Sequence, residues 1–432
     1  MKLYHDYKRQ FRVFLFFLGI LAVIPVVFSS AQTVQELNDK ISQKNTDINR
    51  LEEEIKKYQA EINSLGKQKD SLNNSLKQLD LTKKKLVADI SVTENKIDKT
   101  NLKIKELSFN INDKESVISN NIKAISLDIR NIDELEQNST LAIMLSKDNF
   151  TAVWNDINSM TVISDKIREA TIELKNIKVG LEDTRRETTD AKNELVALKS
   201  ELADQKKIVD QNTAEKNKLL KQTKNSESSY QKLLKDRLAK KEAFEKELEE
   251  YESQLKFVLD PSLLPGKGIL SWPLNDVYVT QLFGVTKDSK RLYASGSHSG
   301  VDFRASVGTP VKAVADGVVL GVGDTDKTCP YASFGKFIFI QHYNGLSTAY
   351  GHLSLIKVST GNKVRRGDII GYSGNTGHTT GPHLHLTVYA AQAAKMETRP
   401  SQACEGRYYT MPVAPTNAYL DPMYYLPPYN KS

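Results

Sequence analysis

Six of the seven histidines in this 432-residue chain lie between His298 and His385. In His298-Ser299-Gly300-Val301-Asp302 an imidazole and a carboxylate stand four residues apart, the acid at the start of an apolar strand. In His383-Leu384-His385 the histidines alternate, so on an extended strand both rings face one side. Two imidazoles and one carboxylate, with a fourth position left to water, make up a catalytic zinc site, because neutral imidazole and carboxylate suit zinc and an open position permits chemistry. The residues alone leave open which of His383 and His385 would bind. No His-Glu-x-x-His occurs, so the glutamate base of that metallopeptidase class is missing and an imidazole must take its task. His342, before Tyr343-Asn344-Gly345, reads as a turn residue. His378, in a Gly/Thr loop, reads as a solvated or substrate-edge group.

Around these histidines the chain consists of short apolar runs, Val277 to Leu282, Val311 to Val314, Gly317 to Val322, Phe337 to His342, Asp368 to Tyr372 and His383 to Tyr389, joined by Gly and Asn/Asp turns. They predict a mostly antiparallel β domain over 268–432, with no long helical segments between strands to suggest a parallel sheet. Pro261 and Pro265 end whatever helix precedes them, so 259–267 reads as a linker.

Before the linker the composition is different. From Val34 apolar residues recur every seven, with Ile41, Ile48, Ile55, Ile62, Leu76, Ile90, Ile97, Ile104 and Ile111 at one seam position and Leu37, Leu51, Tyr58, Leu65, Leu72, Leu79, Leu86 and Leu107 at the other. No proline falls between Pro25 and Pro261, and the outer positions are Lys, Glu, Asn and Asp, which is the pattern of a coiled coil. The pattern changes between about 136 and 157 and resumes from Ile163 to Leu255. Two arms of roughly one hundred residues, each about 150 Å long at about 1.5 Å per residue, predict an antiparallel hairpin over 32–258, with intermolecular pairing of parallel chains as the alternative. The fold class expected is therefore α+β by domains: a long antiparallel coiled-coil hairpin followed by a mostly antiparallel β domain. Met144, Phe150, Val153 and Trp154 give the tip an apolar load that suits either a local helical cap or a docking surface for a partner.

Lys2, Lys8, Arg9 and Arg12 precede an uncharged run from Val13 to Phe28, and Ser29-Ser30-Ala31 follows with small residues. Residues 1–31 read as an export signal, cleaved after Ala31 or retained as an anchor, which assigns the remainder to the cell envelope, on its periplasmic or extracellular face. In an exported chain the two cysteines, Cys329 and Cys404, read as a disulfide. A thiolate site would show a close Cys-x-x-Cys pair, and two separate thiols are the alternative. The formal net charge of +7 sits mainly in the C-terminal part, which suits an anionic partner. No nucleic-acid-binding motif accompanies it, so nucleic acid is not expected.

The motifs HSGVD, YGHLS, VRRGDIIGYSGNTG and GPHLHL, in that order, resemble the M23, or lysostaphin-type, family of cell-wall endopeptidases over Trp272 to about Leu426. The resemblance implies a β-sheet groove whose Zn2+ is held by His298, Asp302 and His385, with His352 and His383 catalytic and peptidoglycan as the substrate. Tyr293 is a further candidate donor. The arm resembles that of murein hydrolases and hydrolase activators of cell division, which implies a membrane protein partner at the tip, such as a division-linked transporter. Two departures stand out: an insertion from Asp324 to Pro330 carrying Cys329, and Val285 where Arg often follows the Phe-Gly of the strand. Rival readings are a non-catalytic activator of other wall hydrolases, whose signature would be lost ligands, and a periplasmic adaptor, which would have no reason to keep HSGVD and GPHLHL on one face.

Overall fold

The seam folds as helices, but the two arms are not single rods. A computed structural model describes residues 34–66, 68, 70–137, 150–255, 257–286, 289–292, 296–379 and 381–429. The export-signal segment, Met144 and Tyr293 lie outside the described residues, as do the side chains of Phe150, Val153 and Trp154. The helices are α1 (Val34–Leu65), α2 (Leu72–Gln137), α3 (Phe150–Thr223) and α4 (Glu227–Gln254). The first arm is thus helices of 32 and 66 residues, which corrects the expectation of one arm of about a hundred. Gly66 closes α1 by donating its N–H to Ile62 O, and Ser71 opens α2 by accepting from Asn74 N through Oγ at 3.2 Å. The Glu227 carboxylate accepts from Leu72 N at 2.8 Å, satisfying another unpaired donor of the first turn of α2. The second arm breaks at Lys224 and Asn225, both left-handed with φ 49° and 55°. Among the described residues no helix is long and apolar enough to cross a membrane.

Two compact units divide the chain. One is built on the segment up to Ser42 and on Leu102–Thr188, the other on Gln43–Asn101 and Thr189–Ser432. In the first, Lys114 Nζ donates to Gly180 O and Thr184 Oγ1, each at 2.8 Å, and Arg185 pairs with Glu115 at 3.0 Å. In the second, α1 runs antiparallel to α2, with Lys44 on Asp98 and Ile62 packed against Leu81. There α2 and α3 are also antiparallel, with Asp80 opposite Lys216 and Glu94 opposite Lys206.

The second unit also holds the β domain. Its strands are β1 (Val279–Gln281), β2 (Val301–Arg304), β3 (Pro310–Lys312), β4 (Gly317–Asp324), β5 (Lys336–His342), β6 (Leu346–Ile356), β7 (Lys363–Val364), β8 (Ile369–Ser373), β9 (His383–Ala390), β10 (Lys395–Pro400), β11 (Tyr408–Val413) and β12 (Tyr419–Leu420). The main sheet runs β1-β2-β9-β6-β5-β4-β7, with β12 beside β9 and β8 bridging β3 to β6, and β10-β11 form a separate ribbon. Every described pairing is antiparallel. The expected division into a helical region and an antiparallel β domain is what the chain adopts.

The helices do more than precede this domain. Phe244 of α4 is 1% exposed and meets the Tyr409 ring at 4.9 Å between centroids, within a cluster that includes Phe337, Phe339, Tyr389, Met411 and Val413. A phenylalanine buried this fully contributes about 1.5–3 kcal/mol. Glu247 accepts from Gln402 N and Ala403 N, and Glu252 accepts from Tyr419 Oη and Ala414 N. Leu86 of α2 and Ile208 of α3 bury Tyr372 of β8.

Candidate active site

Three neighbouring strands assemble the site. In the β2–β9 pair Asp302 lies directly opposite His385, and in the β9–β6 pair His385 lies opposite Gly351, next to His352. The two-residue period of β9 then places His383 and His385 on one face. His298 joins from the segment before β2, anchored by a bridge to Gly284. Gly300 allows the close approach: a Cβ there would lie 2.4 Å from Leu386 O and 2.8 Å from His385 Nε2.

His298, Asp302 and His385 each offer one ligand atom, and these atoms lie within 4.8 Å of one another. His385 Nδ1 is 2.8 Å and His298 Nε2 3.3 Å from Asp302 Oδ1, and the two ring nitrogens are 3.1 Å apart. The opposite ring nitrogens are tied outward, His298 Nδ1 to Leu282 O at 3.0 Å and His385 Nε2 to Thr387 Oγ1 at 2.8 Å. A carbonyl only accepts, so His298 carries its proton on Nδ1 and turns a lone pair inward; if His385 donates to Thr387, it does the same. Two lone pairs and a carboxylate aimed at one volume repel each other unless a cation occupies it, and the outward tethers are of the kind that orient metal-ligating histidines. The donor set fits zinc.

His298 is fully buried, while Asp302, His352 and His385 are each 6% exposed. Burial alone would raise the Asp302 carboxyl. The surrounding imidazoles, His383 first and then His298 and His385, outweigh it and hold the group well below the usual carboxylate range. Burial pushes His352 well down, aided by the neighbouring His383 and His385 rings. Burial also lowers His385, opposed by the Asp302 carboxylate beside it. His352 and His383 stack with ring centroids 4.6 Å apart. His352 Nδ1 donates to Thr376 O and His383 Nδ1 to Gly381 O, each at 2.8 Å, so in each ring Nε2 is the nitrogen left for chemistry, that of His383 lying 3.6 Å from Asp302 Oδ1. The structure therefore brings together all five residues singled out on sequence grounds.

The remaining histidines differ from their sequence reading. His342 ends β5 but is a core group, 3% exposed, with Nε2 2.8 Å from Thr348 Oγ1. Burial lowers it to about 4. His378 is half-buried rather than solvated, and burial, with Lys241 nearby, pushes it down to about 3. It lines a cavity of about 620 Å³ between α2, α3 and α4 and the loops at 324–331 and 375–382. Cys329 and Cys404 are joined, with sulfurs 2.02 Å apart, which ties the insertion to the segment between β10 and β11. Val285 is 67% exposed. Sequence reasoning missed Asp326, on the same insertion, whose carboxylate accepts from Gly377 N at 2.8 Å and Tyr331 N at 2.6 Å. Its position in a loop Asp-Thr-Asp was the only available signal.

Residues 296–397 match Peptidase family M23. The chain is 51% identical over 88 residues to the peptidoglycan DD-endopeptidase ShyA of Vibrio cholerae serotype O1, covering 20% of this chain and 19% of that protein. It is 46% identical over 88 residues to the DD-carboxypeptidase/endopeptidase Mpg of Neisseria meningitidis serogroup B, with the same coverage. It thus spans about a fifth of the length of these curated relatives. A crystal structure of a zinc containing peptidase from Vibrio cholerae is 31% identical, covering 30% of this chain and 38% of that one, with a TM-score of 0.25. Residues 296–397, which carry HSGVD, YGHLS and GPHLHL, are a peptidase family M23 domain.

Proposed function

We propose that this protein is an exported, zinc-dependent endopeptidase that hydrolyses peptide cross-links of bacterial peptidoglycan, with a helical arm that holds the site closed at rest. The observation that carries the reading is the convergence of His298 Nε2, Asp302 and His385 Nδ1 beside the rings of His352 and His383, whose Nδ1 atoms are held by backbone carbonyls. His298, Asp302 and His385 would hold the metal. The chemistry zinc supplies at such a site is Lewis-acid polarisation of the scissile carbonyl and a lowered pKa for water.

The protein's own groups do the rest. Burial keeps His352 neutral, so its Nε2 accepts the proton released during attack. His383 is the more accessible of the pair, at 15% of its side chain, and when its Nε2 also carries a proton it can donate to the oxygen on which charge develops. Filled ligand and auxiliary positions favour an enzyme over a non-catalytic activator. Closure is supported by the cavity that α2, α3 and α4 complete over the loops flanking His352 and His383, and by the Arg237 guanidinium lying 3.4 Å over the Tyr331 ring of the insertion. The tip near 136–157 is where a membrane partner, a division-linked transporter by resemblance, would dock to release the arm.

The test is digestion of cross-linked peptidoglycan by the full chain, and by an Arg237→Ala, Phe244→Ala double variant that undocks α4, with products identified by mass. Cross-linked muropeptides should separate into monomers, faster with the double variant. Chelator should stop the reaction and added zinc restore it. Absence of chelator-sensitive product from both proteins would refute the reading.

A further inference from the structure

The peptide unit between Thr376 and Gly377 is held at both ends. Its carbonyl accepts from His352 Nδ1 at 2.8 Å, and its N–H donates to Asp326 Oδ2 at 2.8 Å. We propose that Asp326, on the insertion, is a positioning residue for His352, acting through this single peptide group to fix the ring's orientation and tautomer. The inference rests on the reading that His352 Nε2 takes the proton.

The local structure shows why such a fastening is needed. Gly377 has φ +69°, where a residue without Cβ turns freely, so on its Gly377 side the peptide before it is held by its contacts. Gly335 is packed against it so tightly that a Cβ on Gly335 would lie 2.3 Å from Gly377 N. This contact blocks substitution at either glycine but does not set which way the Thr376 carbonyl points. Thr376 Oγ1 is used elsewhere, donating to Leu353 O at 2.8 Å and accepting from Lys336 N at 3.0 Å. The bond to Asp326 fixes the N–H, and in a planar amide that fixes the carbonyl on the opposite side.

The same bond has an electronic effect. A carboxylate on the N–H polarises the amide and makes its carbonyl a stronger acceptor for His352 Nδ1–H, as hydrogen bonds in a chain reinforce one another. Asp326 itself is held by Tyr331 N, and the insertion by the Cys329–Cys404 disulfide. His352 depends on a directed partner because its own backbone is unusual: φ is +60° and its N–H is already committed to Phe334 O at 2.7 Å. The arrangement has the layout of an acid that orients a histidine, with an amide between them.

The experiment uses the full, zinc-loaded chain on cross-linked peptidoglycan, with the ring nitrogens of histidine labelled with 15N and the His352 signals assigned by difference from His352→Gln. Asp326→Ala should lower kcat about tenfold, less than the about 100-fold expected from loss of the base itself. KM and bound zinc should stay within twofold of the parent. The His352 ring should change from Nδ1-protonated to a mixture of tautomers. Asp326→Asn, which keeps an acceptor but loses the charge, should retain the tautomer and recover part of kcat. Wild-type kcat and tautomer in Asp326→Ala, alongside an inactive His352→Ala, would overturn the positioning role alone. Loss of zinc, with kcat and KM both impaired in Asp326→Asn, would also overturn it, since that is what a scaffold residue would give. A His352→Ala variant with wild-type turnover would overturn the reading of the site, and this inference with it.

Discussion

Two carboxylates, each 6% exposed, sit in different regions of the second unit and end on opposite sides of their ordinary values although burial raises both. Glu252, where α4 meets the β domain, accepts from Tyr419 Oη through both oxygens, at 2.8 and 2.9 Å, and from Ala414 N at 3.2 Å. Burial prevails there and pushes its carboxyl up to about 7. Asp302 is surrounded by three imidazoles, and their influence prevails over burial. The Glu252 region satisfies itself with neutral donors and tolerates a neutral acid. The Asp302 region keeps its carboxylate charged with ring nitrogens of His298 and His385 beside it, as a cation site requires. The first belongs to architecture and the second to chemistry.

The sharpest way to break this contrast is to remove charge from each without changing shape. Asp302→Asn, or Ala at His298 or His385, should weaken zinc binding beyond the about 10–100-fold that loss of an outer partner costs. Helix content should be unchanged, as read by metal analysis and circular dichroism. Glu252→Gln should keep its zinc. Stoichiometric zinc in a triple variant lacking all three ligands would end the metal assignment.

A smaller effect concerns pH. The folded Glu252 value lies above its ordinary 4.5, so its contribution is fully present below 4.5 and is lost as pH rises through about 7. Among the described residues the groups facing it are the Tyr419 hydroxyl, the Ala414 N–H and, through Tyr419, Tyr389. The shift corresponds to about 3 kcal/mol as an order of magnitude. Thermal unfolding between about pH 5 and pH 8 should show Glu252→Gln gaining on the parent as pH rises. Parallel curves would place the burial cost elsewhere.

The smallest effect tests a contact between α4 and the insertion. Arg237→Ala removes the guanidinium over Tyr331, worth about 1 kcal/mol in a partly desolvated setting. If that contact holds the arm down, basal turnover should rise about fivefold with little change in melting temperature. An unchanged rate would separate packing at α4 from closure of the groove.

Much of the site was legible because strand alternation is local: His383 and His385 share a face whatever lies beside them. The pairing of Asp302 with His385 is not local, since the residues lie 83 apart, and only motif resemblance pointed to it. The heptad spacing correctly gave helix, yet Ile62, Leu65, Leu72 and Leu76 keep the same phase across the break at Gly66. Periodicity records spacing and not chain direction, so the reversal stayed hidden although Gly66 and Ser71 marked it. Docking of α4 was illegible for a related reason. Phe244, Glu247 and Glu252 look like ordinary arm residues until their partners, about 150 positions away, are placed beside them.

The bridge between Cys329 and Cys404 turns part of the chain into a closed ring spanning a separation of 75 residues. His352, His383 and His385 lie on that ring, while His298 and Asp302 lie outside it. When the protein unfolds with its sulfurs joined, three of the four imidazoles of the site stay confined to one covalent circle. Only the short His298–Asp302 segment must find them again. In the chain-entropy view a ring of this size removes about 4 kcal/mol of disorder from the unfolded ensemble. A reducing compartment would forfeit both that advantage and the shortened search, so the recovery of this site after damage is coupled to the redox state of its surroundings.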